Sequence, residues 1–418
     1  MEQSVEHLPE QLDCRRAIEA LRNGVPNRVA VRILGSTQPQ AELQFQERLT
    51  RNDGEDPGGL LISGDFGAGK SHLLEHFENI ALERGFVCSR IAVSKETPFY
   101  DLGKMFRAAA DTGVLPDGRV GAMVDEIGNR LAGPRDPRYA TFFRWADGAS
   151  SDLHRIFPAT LMVHERLPDQ EMLNAIRWFW SGDKIAVGDV KRGLRQIGQQ
   201  GTYQFRAPKL RDLPPQRLRF VLEMIKTSGY RGWVVLIDEL ELIGSYSLLQ
   251  RARSYAELAR WMGVADDARY PGLMVVAAIT EDFVEAILEE KGDRLKVPAR
   301  LRERGEARMA RQAELGMQWL SSRRTRLSEV TDDGVDAAVE HIRRIYSRAY
   351  DWAAPSVSAT GGGAGYQKRM RYKVRAAITT WDLQRLCDAD PDMETEEYQP
   401  TYHEDHDLEV ESHEDTPS

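Results

Sequence analysis

The 418-residue chain is short of several things, and each shortage removes a class of explanation. It has three cysteines, Cys14, Cys88 and Cys387. They are far apart and odd in number, so neither a disulfide framework nor a paired-cysteine metal knuckle can be drawn from them. The longest aliphatic run, LMVVAAI at 273–279, is too short to cross a bilayer. The opening MEQSVEHLPEQ has neither the basic nor the apolar region of a secretory signal. A soluble cytoplasmic protein in a reducing compartment, with no membrane association, is the expectation. The chain also lacks a G-x-G-x-x-G dinucleotide loop, an H-E-x-x-H zinc signature and an N-K-x-D guanine reader. No serine, histidine and aspartate set can be assembled for nucleophilic catalysis.

Basic residues are missing from one end only. Residues 388–418 hold thirteen Asp or Glu and no Lys or Arg, so the net charge of −9 hides a mildly basic body. That stretch is too charged and too poor in apolar residues to offset its ordering entropy, which predicts an acidic disordered tail. Its HEDHD cluster, His403 to Asp407, reads as part of a solvated tail ahead of a loose metal site. At 41% apolar the rest is long enough for two or three domains with their own cores.

What is present is organised around alternating strands and helices. LDCRRAIEALRN (12–23) places Leu12, Ala17, Ile18 and Leu21 at helical spacing, and AELQFQERLT (41–50) predicts a second helix. The turn-rich RNDGEDPGG (51–59) releases the chain into the strand LLIS. An amphipathic helix closed by Gly85 and the strand FVCSRIAVS (86–94) complete a βαβ start. WVVLIDEL (233–240) and GLMVVAAIT (272–280) are aliphatic enough for parallel strands buried on both faces. Between residues 94 and 233 lies a long, mostly helical stretch that includes IRWFWSGD (176–183). Charged helices at 306–350, a GGGAG linker (361–365) and a basic final helix, KRMRYKVRAAITTWDLQRL, follow.

The loop after LLIS carries the chemistry. Gly64, Asp65, Phe66, Gly67, Ala68, Gly69, Lys70 and Ser71 satisfy G-x-x-x-x-G-K-[ST], between a strand and a helix as that motif requires. Glycines let backbone N–H groups turn toward phosphate oxygens, and the helix that starts near Lys70 adds its positive end. The ammonium reaches the β and γ phosphates, and Ser71 is placed to ligate Mg2+. His72 follows directly. With no guanine reader, ATP is the expected nucleotide.

Three further elements fit around that loop. In VVLIDEL, Asp238 can hold the Mg2+ shell from a neighbouring strand, and Glu239 can orient or activate water; Glu241 reads as a helix-start charge. Thr280, at the tip of MVVAAIT, is placed to sense the γ-phosphate or position water, but a cap for the helix EDFVEAILEE predicts the same residue. In VPARLRERGEAR, Arg304, with Arg302 next, could reach the nucleotide of a neighbouring subunit, while a solvated helix surface accounts for the same residues.

In this order the elements resemble the AAA+ branch of P-loop ATPases. With RRAIEALRNGVPNRVAVRILG (15–35), LLISGDFGAGKSHLLEHF and VVLIDELELI, the chain resembles the ATP-binding proteins of BREX phage-resistance systems, the BrxD kind. The resemblance implies an α/β fold: a P-loop AAA+ ATPase with a parallel sheet core, a long helical insertion and a C-terminal helical lid. The corresponding divisions are 1–58, a helical segment leading into the core; 59–305, the core with its insertion at about 97–230; 306–387, the lid; and 388–418, the tail. It also implies a homo-oligomer acting beside a helicase or methylation machinery. Val25, Pro26 and Asn27 would line the adenine pocket, and Arg371 or Arg375 would serve as the lid's nucleotide sensor. The Arg-rich segment carries one residue more than the family's usual order, which bears on the choice of Arg304.

Two functions of different class follow. One is an ATPase that remodels a DNA-bound or protein assembly, and the other is a nucleotide-dependent switch or scaffold with little turnover. DNA contact could come from KRMRYKVR (368–375) or RSYAELARW (253–261), where basic and aromatic residues mix; basic helix faces are also commonly just solvated.

Overall fold

The aliphatic runs become the strands of one parallel sheet. A computed structural model describes residues 10–23, 28–51, 58–121, 123–131, 133, 135–265, 270–328, 332–357 and 370–387. Its strands are β1 (Leu60–Ser63), β2 (Val87–Ala92), β3 (Trp233–Asp238), β4 (Leu273–Ile279) and β5 (Arg324–Arg326). They lie in the order β2-β3-β4-β1-β5, every pair parallel. All four residues of β1, six of β3 and seven of β4 are buried, as expected of strands covered on both faces.

This order corrects one expectation. β3, which ends in Asp238, does not neighbour β1; β4 lies between them, with Leu60 opposite Val276 and Val235 opposite Val275. The carboxylates therefore face the glycine loop across the tip of β4. A fifth strand, Arg-Thr-Arg, pairs with β1 on its other side, Ser63 opposite Arg326. The sheet thus reaches past residue 305.

Alternation sorts the strand residues between two layers. Leu60, Ile62, Leu236, Val276 and Ala278 pack with Leu73, Leu74 and Phe77 of the helix Lys70–Glu83. Phe45, from the helix Pro39–Arg51, stacks on Phe77 with ring centres 4.2 Å apart. On the opposite face Leu61, Val235, Ile237, Val275 and Ile279 join a larger core with the helices that connect β2 to β3. A third core is separate from both. In it Cys14, Ile18 and Ala30 pack with Val335, Val339, Ile342 and Tyr346 of Asp332–Tyr350 and Ile378 and Trp381 of Met370–Cys387. Arg22 seals it with a forked bond to Asp382, 2.9 and 3.0 Å. The first helix of the chain is thus built into the same core as the last two. The tail 388–418 and the GGGAG linker lie outside the described residues.

The helical stretch between β2 and β3 is held by an aromatic centre. Phe142, Phe157, Phe179, Trp180 and Phe220 make ring contacts at 5.2–5.4 Å. The run IRWFWSGD turns Ile176, Phe179 and Trp180 inward and leaves Trp178 exposed, the split a helical period produces. The Trp180 indole N–H donates to Thr160 at 3.0 Å. His164 lies 4.9 Å from the Trp180 ring, and its Nε2 is buried without a hydrogen-bond partner.

Burial, with the nearby Arg177 adding to it, pushes His164 down to about 4 from an ordinary 6.5. The folded chain keeps the ring neutral while the unfolded chain protonates it, so stability falls as pH drops from 6.5 to 4. The loss reaches at most about 3 kcal/mol. His164→Phe should flatten that part of a urea-unfolding pH profile; an unchanged slope would show that the ring titrates normally.

Candidate nucleotide-binding site

Strand β1 ends at Ser63, and the backbone turns at once. The Gly64 N–H donates to the Ile279 carbonyl at 3.3 Å, which anchors the start of the loop to β4. A Cβ on Gly64 would sit 3.2 Å from Ala68 Cβ and 3.3 Å from Leu327, a tight fit that would push on both side chains. Gly67 and Gly69 have φ of +80° and +91°, a left-handed region that other residues enter at a cost of roughly 1 kcal/mol. Gly69 is the N-cap of the helix Lys70–Glu83, and no side chain caps that end. Its first N–H groups are consequently available to an anion.

Lys70 is 8% exposed. Its ammonium donates to the Gly64 carbonyl at 2.7 Å and to the Asp65 carbonyl at 3.1 Å, with the Phe66 ring centre 5.3 Å away. Burial lowers its pKa, and Glu241, Asp238, Asp65 and Asp282 oppose that shift in descending order. Ser71 is half-buried at the first turn. His72 follows but points its Nε2 to the Gly35 carbonyl at 2.7 Å, and burial lowers its pKa. That contact ties the ring to the chain before the helix Pro39–Arg51.

At the end of β3, Asp238 is buried and its Oδ1 accepts from the Glu239 N–H at 3.0 Å. Arg90 on β2 bridges two carboxylates: its Nη2 lies 3.5 Å from Asp238 Oδ2, and its Nη1 donates to Glu75 on the loop's helix at 2.5 Å. Glu239 is exposed and has φ +59°, an uncommon backbone for a residue other than glycine, of a kind that gathers at functional sites. Burial, then Asp238, raises its pKa.

Glu241 differs most from its sequence reading. It is 6% exposed, its Oε2 is buried with no hydrogen-bond partner, and of the carboxylates near Lys70 it acts on the ammonium most strongly. Its only signal in the sequence is a third carboxylate within DELE. Thr280 is buried directly after β4, next to the carbonyl that holds Gly64. The π-helical turn Val284–Glu290 begins a few residues later, after Phe283.

The arginines lie elsewhere. Arg304 ends the helix Asp293–Glu303 on the surface, with Nε 3.1 Å from Glu306, and Arg302 pairs with Glu314 at 2.6 Å. Arg375 is exposed on the last helix. Among the described residues neither Arg304 nor Arg375 bonds to the loop or to Asp238 and Glu239. Val25, Pro26, Asn27 and the Arg371 side chain lie outside the described residues. Within the described residues no three His, Cys, Asp or Glu gather into a metal cage, and no helix is long and apolar enough to cross a membrane.

A family model described as BREX system ATP-binding protein BrxC/D matches residues 10–115 and 215–367. The chain belongs to that family. No curated protein and no solved structure matches it. Membership bears out the resemblance read from the sequence: this is an ATP-binding protein of a BREX phage-defence system. The matched segments contain the glycine loop, Asp238, Glu239, Thr280 and Arg304. They leave out 116–214, within the helices between β2 and β3, and end before Arg375.

Burial pushes Glu241 up to about 7 from an ordinary 4.5, against the pull of Lys70. Between these values the folded chain holds a proton that the unfolded chain has released. Stability therefore falls as pH rises from 4.5 to 7, by up to about 3 kcal/mol. Glu241→Gln should abolish that fall in denaturant titrations. A variant with the same pH dependence as the parent would place the Glu241 carboxylate in solvent.

Proposed function

We infer that this BREX ATP-binding protein hydrolyses ATP. The observation that carries the reading is the buried Lys70 ammonium, seated on its own loop carbonyls at the carboxyl edge of a parallel sheet, with carboxylates from the end of β3 acting on it. An ammonium so placed is held by weak neutral acceptors, and a triphosphate offers it stronger ones.

In this reading Lys70 transfers its hydrogen bonds from Gly64 and Asp65 to the β and γ phosphates. The backbone N–H groups from Asp65 to Ser71 and toward His72 close around them, which Gly67 and Gly69 permit. The absence of a protein-only metal cage among the described residues suits Mg2+, which keeps water and phosphate ligands. Ser71 and Asp238 are the residues that would hold it, and when bound it supplies charge neutralisation on the phosphate oxygens. Glu239 orients the attacking water and accepts its proton; its raised pKa suits that exchange. Thr280 holds the water or the γ-phosphate from the tip of β4. Arg304 serves a neighbouring copy, and Arg375 senses the nucleotide from the last helix, with the helices Asp332–Tyr350 and Met370–Cys387 acting as a lid in place of the whole of 306–387, since β5 belongs to the sheet. The energy of turnover remodels a partner assembly, protein or DNA-bound.

The second reading, a switch that needs occupancy only, draws on the long helical stretch between β2 and β3 and on the acidic end of the sequence, and Lys70 must exchange its carbonyl partners on binding in either case. Phosphate release separates the two. Lys70→Ala should lose ATP binding, while Glu239→Gln should keep it and release phosphate at least about a hundredfold more slowly. Parent protein with no measurable release would favour the switch; release surviving both changes would remove these residues from the chemistry.

A finger supplied between copies makes sites shared. Mixing Arg304→Ala with Lys70→Ala should restore part of the activity that each lacks alone. If the mixture assembles and recovers nothing, the finger is another residue.

A further inference from the structure

A charged concavity is lined by no residue of the glycine loop. A cleft of about 650 Å³ opens between two layers. One side is the start of the helix Leu102–Asp111 and the start of Leu213–Thr227; the other is the helix Leu248–Trp261, Tyr270 and the start of Ala307–Ser322. Five arginines line it: Arg211, Arg219, Arg253, Arg260 and Arg308. Tyr100, Pro214 and Pro215 add apolar surface to the lining, whereas Tyr270 is buried at its base.

Four carboxylates share the lining, so the excess of positive charge is small, but two of the ion pairs are loose. Arg211 is 3.7 Å from Asp212 and Arg219 is 3.8 Å from Asp152, all at partly or fully exposed positions. Such pairs hold their cations weakly, and a phosphate can take them over. Arg260 is held more closely by Glu257, at 2.5 Å. Arg253 is exposed, with no hydrogen bond or ion pair to a described residue, and its charge acts on the Tyr100 hydroxyl. Tyr100 is half-buried and fixed, its oxygen accepting from Gln250 at 3.1 Å and its ring edge-on to Tyr246 at 5.3 Å.

We propose that this cleft binds single-stranded nucleic acid, its arginines on phosphates and the Tyr100 ring against an unstacked base. Several cations beside a fixed, partly exposed ring suit a strand that offers both phosphates and free base faces. A duplex keeps its base faces inside the stack and offers nothing to a ring set between two layers. A lone nucleotide needs one or two of these cations, not arginines distributed over both walls. Arg211, Asp212 and Pro214 fall in the segment outside the family match, while Tyr100, Arg219, Arg253, Arg260 and Arg308 fall within it. The basic helix around Arg375 plays no part in the site.

Fluorescence anisotropy of the full chain with a labelled single-stranded thymidine oligonucleotide tests this without any ATP, so its failure leaves the hydrolysis reading untouched. Binding should weaken with salt, and Arg211→Ala with Arg253→Ala should weaken it at least about tenfold and reduce the slope of log affinity against log salt by about 1.4. Tyr100→Leu should weaken it roughly tenfold with the slope retained. Circular dichroism confirms that each variant is folded, and Arg300→Ala, at an exposed site paired with Glu303, is the neutral control. No binding, equal binding of a duplex, competition by free thymidine monophosphate, or loss through Arg375→Ala with the cleft variants intact would overturn the proposal.

Discussion

One buried positive charge organises the nucleotide end of the molecule. The Lys70 ammonium is taken out of water and given two neutral carbonyls, at 2.7 and 3.1 Å, as its direct partners. Desolvation of that kind is expensive unless opposite charge is near. Here the opposite charge comes from Glu241, Asp238, Asp65 and Asp282, drawn from the β3 end, the loop itself and the turn after β4. The order β2-β3-β4-β1-β5 makes this convergence possible, because all strands run the same way and release their carboxyl ends on one edge. The position of Thr280 between the two carriers of charge is a direct result of β4 lying between β1 and β3.

The three cores divide the mechanical work. The loop's helix is pinned to one face of the sheet by Leu73, Leu74 and Phe77, which fixes where Lys70 emerges. The other face merges into the helices between β2 and β3, so those helices are packed onto the sheet through a shared interior. The first described helix and the last two form a core of their own. A path from the nucleotide to that third body passes through the segment 28–51, whose Arg28 reaches Glu78 on the loop's helix at 2.5 Å.

Much of this was legible in the sequence, and the exceptions have physical reasons. LLIS and the glycine loop announce themselves because a buried strand must be aliphatic and a phosphate loop must have glycine where a Cβ or an ordinary φ fails. The helical split of IRWFWSGD follows from period alone. The order of strands does not, since pairing between residues some two hundred apart leaves no local pattern. β5 was missed because Arg-Thr-Arg has no apolar signature; it is short, lies at an edge and owes its strand to β1. Glu241 reads in the sequence as a helix-start charge because a carboxylate so deeply buried is rare, and only the surrounding fold shows the Lys70 ammonium acting on it.

The link between the carboxylate turn and the arginine segment is a second buried ion pair. Arg251 Nε and Nη2 donate to Asp293 at 2.7 and 2.9 Å, and Nη1 donates to the Tyr246 carbonyl at 2.6 Å. The Tyr255 hydroxyl gives Asp293 another bond at 2.7 Å. Asp293 begins the helix that ends before Arg304, and Tyr246 closes the turn that follows Glu239. Burying such a pair adds little net stability over well-packed apolar side chains, yet its geometry permits one arrangement of the two elements. Lys291, bonded to the Gly244 carbonyl at 3.0 Å, closes the same connection one turn away. The same Tyr246 meets Tyr100 in the arginine-lined cleft, so that cleft and the carboxylate turn share a single rigid contact.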